Sequence, residues 1–142
     1  MPSPRLLIGL PLLATPLAIA AWLWLTMLSP WTYERPEHLA PIGEGPHALF
    51  VYGTLTHAPI RWVVYGRAGD PEPASLPGYR RTGLDLKACA DCTVEGLALT
   101  VSAEELARLD RYERLGIRYL RIRAELSDGS TAWVYRRLPD AD

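Results

Sequence analysis

Asp110 and Glu113 are the residues of this sequence whose spacing best suits proton chemistry. Ser102-Ala-Glu-Glu105 fits a capping box, in which the serine oxygen accepts the Glu105 N–H and the glutamate reaches back. That start predicts a helix to about Glu113. At about 100° per residue, Leu106 and Leu109 define its apolar stripe, while Glu104, Arg108 and Arg111 fall on the opposite, watered side. Glu113 is seven positions after Leu106 and four after Leu109, so it shares the leucine face, with Asp110 beside it. A carboxylate turned toward a core either takes specific hydrogen bonds or has its pKa raised, and such groups in clefts are candidates for acid–base work. If the helix ends before Glu113, the same residue sits in a solvated turn. Asp110 reads better as a structural carboxylate bonded to nearby backbone.

A second constellation is Phe50-Val-Tyr-Gly-Thr-Leu55, a strand that ends in a glycine turn. Successive N–H groups in such a turn can form a concavity for an anion, Gly53 permits close approach to the backbone, and Thr54 adds a hydroxyl. Most strand–Gly–Thr turns bind nothing, so this motif alone is weak. Cys89 and Cys92 form a single C-A-D-C pair without a second pair or a suitably spaced histidine, so zinc is not expected. A local disulfide and two free thiols both remain open for the pair. His38 and His47 lie in or beside a proline-rich stretch, and His57 reads as a surface residue.

The elements that would position these residues follow from short-range patterns. Ala48–Tyr52 reads as a buried strand, Ile60–Tyr65 as a short helix or strand, 66–72 as a loop, and Ala74–Tyr79 as an extended segment broken at Pro77–Gly78. Val94–Val101 alternates as a strand does. Ile117–Leu126 and Thr131–Leu138 read as two strands around the Asp128–Gly129 hairpin signal. A two-residue loop there would set Ile122 opposite Tyr135 and Ala124 opposite Trp133. From position 47 onward 13 Lys+Arg balance 13 Asp+Glu, which gives no electrostatic case for nucleic acid.

The amino-terminal part has a different character. Leu6–Leu28 is 23 uncharged, mostly apolar residues, about 34 Å as a helix against a hydrocarbon core of about 30 Å. A cleaved signal peptide is the alternative, but the run is long for one and Met27-Leu28-Ser29-Pro30 lacks a small-x-small site. The expectation is a single-pass anchor over 1–28, engaging a membrane through 6–28. A Pro/Gly-rich linker over 29–47 and a globular domain over 48–138 follow. Arg5 before the run places the domain on the extracytoplasmic side by the positive-inside rule.

Taken together, FVYGTL (50–55), LPGYRR (76–81), VEGLAL (94–99), LDRYE (109–113), YLR (119–121) and SDGSTAWVY (127–135) resemble the gamma-glutamylcyclotransferase-like superfamily in order and spacing, over about residues 48–138. The superfamily includes avirulence-induced-gene-like proteins and gamma-glutamylamine cyclotransferases. The resemblance implies an α+β fold: a small barrel-like mixed β-sheet with one or two flanking helices, here expected after one transmembrane helix. It implies release of 5-oxoproline from a small gamma-glutamyl substrate without metal or cofactor. It also implies that Tyr52, Gly53, Thr54 and Leu55 bind the glutamyl moiety through backbone groups and that Glu113 is the catalytic proton acceptor. One departure is Arg114, where the family often has glycine after the glutamate; a bulky cation there could narrow the pocket or lower the glutamate's pKa. The competing functions are a membrane-tethered non-catalytic module that binds a small ligand, and a redox sensor built on the cysteine pair.

Overall fold

The computed structural model describes residues 4–139, with side chains from Ala14 onward. It divides into two compact units, Met1–Glu34 and Arg35–Asp142. The first unit is a single helix, α1 (Pro4–Met27). It ends where the Leu28 and Ser29 N–H groups share the Trp24 carbonyl, and Trp24 meets Trp31 edge-on at 5.8 Å.

The expected transmembrane helix does not stand. Among the described residues no helix is long and apolar enough to cross a membrane. Thr15, Pro16 and Thr26 dilute the apolar run within α1. The single-pass anchor over 1–28 and the extracytoplasmic placement of the domain that followed from it are corrected together. The Arg5 side chain, on which the orientation was read, lies outside the described residues.

The second unit holds β1 (His47–Val51), a 3-10 turn (Thr54–Thr56), α2 (Ala58–Tyr65), β2 (Glu72–Thr82), β3 (Asp85–Val101), α3 (Ala103–Tyr112), β4 (Tyr119–Glu125) and β5 (Thr131–Arg137). The five strands form one mixed sheet in the order β2-β3-β1-β5-β4, with β1 and β5 parallel and the other pairs antiparallel. Ser127 N–H donates to the Ser75 carbonyl at 2.9 Å and ties the β4–β5 hairpin to β2. The sheet therefore curls, and Phe50, Tyr52, Leu76, Leu86, Val94, Leu126, Ala132 and Val134 fill the curl as one apolar cluster. β1 is buried on both faces over Leu49, Phe50 and Val51 because it lies at the centre, which explains that unbroken apolar run. Gly96 of β3 sits where β1 comes closest: a Cβ there would lie 2.3 Å from the Val51 carbonyl oxygen.

Local chemistry settles what the pattern left open and explains where it went astray. The segment over Ile60–Tyr65 is helical: Pro59 lies in the first turn of α2, and Gly66 at φ 90° ends it. The β4–β5 hairpin pairs Ile122 with Val134 and Ala124 with Ala132, one residue off the expected register. The loop has three residues, not two. Leu126 N–H reaches the Ser130 carbonyl, Gly129 takes φ 84°, and Asp128 Oδ1 accepts the Ser130 N–H at 2.9 Å. That is the three-residue hairpin with a left-handed glycine. The β2–β3 hairpin is longer than its apolar pattern suggested. Its tip is Gly83–Leu84, with Gly83 at φ 61° between the paired Thr82 and Asp85.

Within that hairpin, Tyr79 pairs Ala88 and Pro77 pairs Thr93, so Cys89–Cys92 bulge out opposite Gly78 alone. A Cys89–Cys92 disulfide closes the bulge. A loop this short restrains little of the unfolded chain, about 2 kcal/mol in the chain-entropy picture. The Cys89→Ser/Cys92→Ser double variant is expected to lose no more than about 2 kcal/mol in urea unfolding, and dithiothreitol should produce the same shift in the parent protein but none in the variant.

Candidate functional site

α3 carries the two carboxylates, and both its ends are specified. Ser102 Oγ accepts the Glu105 N–H at 3.1 Å and Glu105 Oε1 accepts the Ser102 N–H at 3.0 Å, the reciprocal capping box. At the other end Leu115 N–H bonds the Asp110 carbonyl and Arg114 N–H bonds the Arg111 carbonyl, the Schellman pattern. This motif needs a left-handed residue after the cap. Glu113 is the cap, at φ −79°, and Arg114 takes the left-handed position at φ 52°. The glycine that the resemblance leads one to expect after the glutamate would suit this backbone position. Here an arginine holds the position under strain of about 1 kcal/mol or more.

Leu106 and Leu109 are buried, as the leucine face requires, and Asp110 is 1% exposed. The Asp110 carboxylate is fully partnered. Oδ2 accepts from Arg35 Nη1 at 2.8 Å and Arg121 Nη2 at 3.2 Å; Oδ1 accepts from Arg121 Nε at 3.0 Å and the Tyr135 hydroxyl at 2.5 Å. Arg121 is itself held by lying over the Trp133 ring at 4.3 Å.

Glu113, one turn further along, is half-buried, and no donor among the described residues bonds its carboxylate. Burial, and then the negative charge of Asp110, push its pKa from 4.5 up to about 7. The field of Glu113 reaches Tyr52, Tyr119 and Tyr135, whose hydroxyls are pushed up chiefly by burial. The Tyr52 hydroxyl donates to the Tyr135 carbonyl at 2.8 Å, and the Tyr119 hydroxyl to the Leu84 carbonyl at 3.2 Å.

The glycine turn lies against this helix end. Thr54 Oγ1 and the Tyr112 hydroxyl are 3.3 Å apart, which joins the turn to the residue before Glu113. A Cβ at Gly53 would meet nothing nearer than Leu84 Cδ2 at 4.0 Å, so that backbone face is open. As the start of a 3-10 turn, the first N–H groups here have no partner within the turn. The Leu55 side chain is buried, and its carbonyl is already bonded, so only its N–H could serve a ligand.

That bond comes from Arg61, which the sequence reading passed over. The Arg61 side chain is 3% exposed and donates to the carbonyls of Leu55 (3.0 Å), Thr56 (2.8 Å) and Ala68 (2.6 Å). It braces the turn from behind. A lone charge inside the apolar IRWVVY run was the available signal.

The pattern of the family described as gamma-glutamyl cyclotransferase, AIG2-like, matches residues 49–141. The chain belongs to that family. Two Arabidopsis thaliana proteins known by solution structure are 27% and 26% identical, each with a TM-score of 0.58. The first alignment covers 68% of this chain and 72% of the relative; the second covers 73% and 69%. A solved gamma-glutamyl cyclotransferase is 13% identical with a TM-score of 0.51, over 66% of this chain and 68% of the other, a likeness of fold. No curated protein matches at a significant level. The curled mixed sheet with its helices is the fold of this family, and membership supports cyclotransferase-type activity in general.

Two expectations follow for this site. A glutamate whose pKa is raised on folding favours the native state while protonated and loses that advantage as pH rises through the folded pKa. Between pH 4.5 and about 7 the native protein holds a proton that the unfolded chain has released. Glu113→Gln should therefore stabilise the protein above pH 7, by up to about 3 kcal/mol, and leave it nearly unchanged below pH 4.5, read from urea midpoints across pH. Arg114→Gly should raise stability by about 0.5–1 kcal/mol, since relief of left-handed strain outweighs the added freedom of the unfolded chain; an unchanged or lower urea midpoint would contradict it.

Proposed function

We propose that this protein releases 5-oxoproline from a gamma-glutamyl amine or gamma-glutamyl peptide, with Glu113 as the general acid–base. The observation that carries this reading is an unbonded, half-buried carboxylate with a pKa of about 7, beside an open glycine turn. A catalytic base works best when its pKa lies near the working pH. Structural carboxylates look like Asp110, surrounded by donors.

The substrate's α-amine nitrogen attacks its own γ-carbonyl carbon. Glu113 takes the proton that the amine loses, a carbon–nitrogen bond closes the five-membered ring, and the carbonyl oxygen becomes an oxyanion. The bond to the departing nitrogen then breaks, and Glu113 returns the proton to that amine. The atoms balance without oxidant or second substrate. Holding both reactive groups of one molecule in a near-attack shape removes an entropic barrier. The backbone of Tyr52, Gly53, Thr54 and Leu55 has the role of seating the glutamyl α-carboxylate, with N–H donors near the developing oxyanion. Arg61 keeps that backbone in place from behind.

The test offers the full chain a panel of gamma-glutamyl amines and peptides and measures 5-oxoproline by mass spectrometry. The expected rate rises through about pH 7 as Glu113 ionises. Glu113→Gln should lower it by roughly 10²- to 10⁴-fold with substrate binding retained. Ligand binding without turnover across the whole panel would favour a non-catalytic small-ligand module on the same fold.

A further inference from the structure

We propose that Arg35, ahead of the family-matched span, is a positioning residue for Glu113, acting through the buried carboxylate of Asp110. The inference rests on the reading of Glu113 as the general acid–base. Three observations carry it. Arg35 lies 75 residues from Asp110 in sequence, yet its guanidinium spans two partners: Nη1 bonds Asp110 Oδ2 at 2.8 Å and Nη2 bonds the Ala40 carbonyl at 2.7 Å. The same segment packs on the turn that follows Glu113. A Cβ on Gly116 would lie 2.8 Å from Pro36 Cγ and 3.2 Å from Leu39 Cδ1. Asp110 and Glu113 stand three residues apart, on one face of α3. Residues 35–40 thus form a strap fixed to the helix end at two points, one ionic and one apolar.

The strap has a chemical consequence as well as a mechanical one. Asp110 is flanked by two cations, Arg35 at 31% side-chain exposure and Arg121 at 9%. Arg121 is locked by Trp133 and the core, so Arg35 is the replaceable half of the pair. With Arg35 in place, the Asp110 charge reaching Glu113 is partly offset. Without it the field at Glu113 becomes more negative, and the Glu113 proton is held more tightly. The other groups facing Glu113 are the Tyr52, Tyr119 and Tyr135 hydroxyls, from the end of β1, from β4 and from β5. All three are pushed above 10 and stay neutral through this range. Asp85, at the start of β3, acts on Tyr52 and Tyr119 and is itself bonded to Leu86, Arg137 and Lys87. Arg114, next in the chain, is unchanged by the substitution. The carbon-13 shift of the Glu113 carboxyl reports this group separately from the histidines of the chain, His38 of the strap among them.

The experiment compares the full chain with Arg35→Gln and Arg35→Lys, following the Glu113 side-chain carboxyl by carbon-13 NMR through pH and, separately, the pH–rate profile. Arg35→Gln is expected to raise the Glu113 midpoint by about half a unit to one unit. It should also lower kcat about five- to tenfold, with KM within about twofold. Arg35→Lys restores the charge without the two-partner fork, so the midpoint should return while kcat recovers only in part. If Arg35→Gln does not fold, Arg35→Met, which keeps the apolar stem, replaces it. A variant that loses stability while the Glu113 midpoint and the kcat-to-KM pattern stay where they were overturns the proposal. If the parent chain turns over no substrate, the proposed reaction fails, and the NMR midpoint still decides whether Arg35 acts on Glu113.

Discussion

Asp110 is removed from water almost completely, and an ionised carboxylate in that position is stable only where donors surround it. Four hydrogen bonds from three side chains meet the requirement. They come from the segment before β1, from β4 and from β5, so one charge ties together parts of the chain that share no local pattern. Removing a partner from such a cluster leaves an uncompensated buried charge, which is why clusters of this kind fix geometry even where their net stabilisation is small. The position of α3, and with it the direction of Glu113, depends on that arrangement.

Two carboxylates one helical turn apart consequently take opposite roles. Arg35, Arg121 and Tyr135 are spent on Asp110, and among the described residues no donor bonds the Glu113 carboxylate. Environment divides the pair, because both sit on the same apolar face and both are carboxylic acids. A site that needs a proton acceptor near neutral pH can form in this way without a metal: one carboxylate is satisfied, and its charge together with burial keeps the next one protonated for longer.

The sequence disclosed the parts of this arrangement that are local. The capping box, the leucine face and the place of Glu113 on it rest on spacings of three, four and seven residues, and these survive folding unchanged. The strands around β1 were legible because a central strand is apolar on both faces. The β2–β3 hairpin was only half legible, since the bulge at Cys89–Cys92 interrupts the period-two pattern and Arg80, Arg81 and Lys87 fill its tip. The β4–β5 register slipped because Asp128–Gly129 suggests a two-residue loop, whereas the Asp128 side chain recruits Ser130 into a longer one. The apolar amino terminus suggested a membrane crossing on composition alone. Arg35 could not be read at all, since it is defined by a contact 75 residues away and an arginine in a proline-rich stretch resembles any solvated charge; Arg61 left only the sign of a lone charge in an apolar run.

Arg114 shows how an expected residue and a local constraint can part. A glycine after this glutamate, as the sequence resemblance leads one to expect, would suit the left-handed residue of the Schellman turn. In this chain the turn forms with an arginine, because its two hydrogen bonds, the buried Leu115 and the strap against Gly116 over-determine the backbone there. The position is therefore tolerant in conformation and intolerant in length: a residue other than glycine can occupy it at some strain, but an insertion would break the 115-to-110 bond and rotate Glu113 away from the tyrosines. Glycine at this position is a preference of the turn rather than a component of the chemistry, and its absence leaves the carboxylate where the fold requires it.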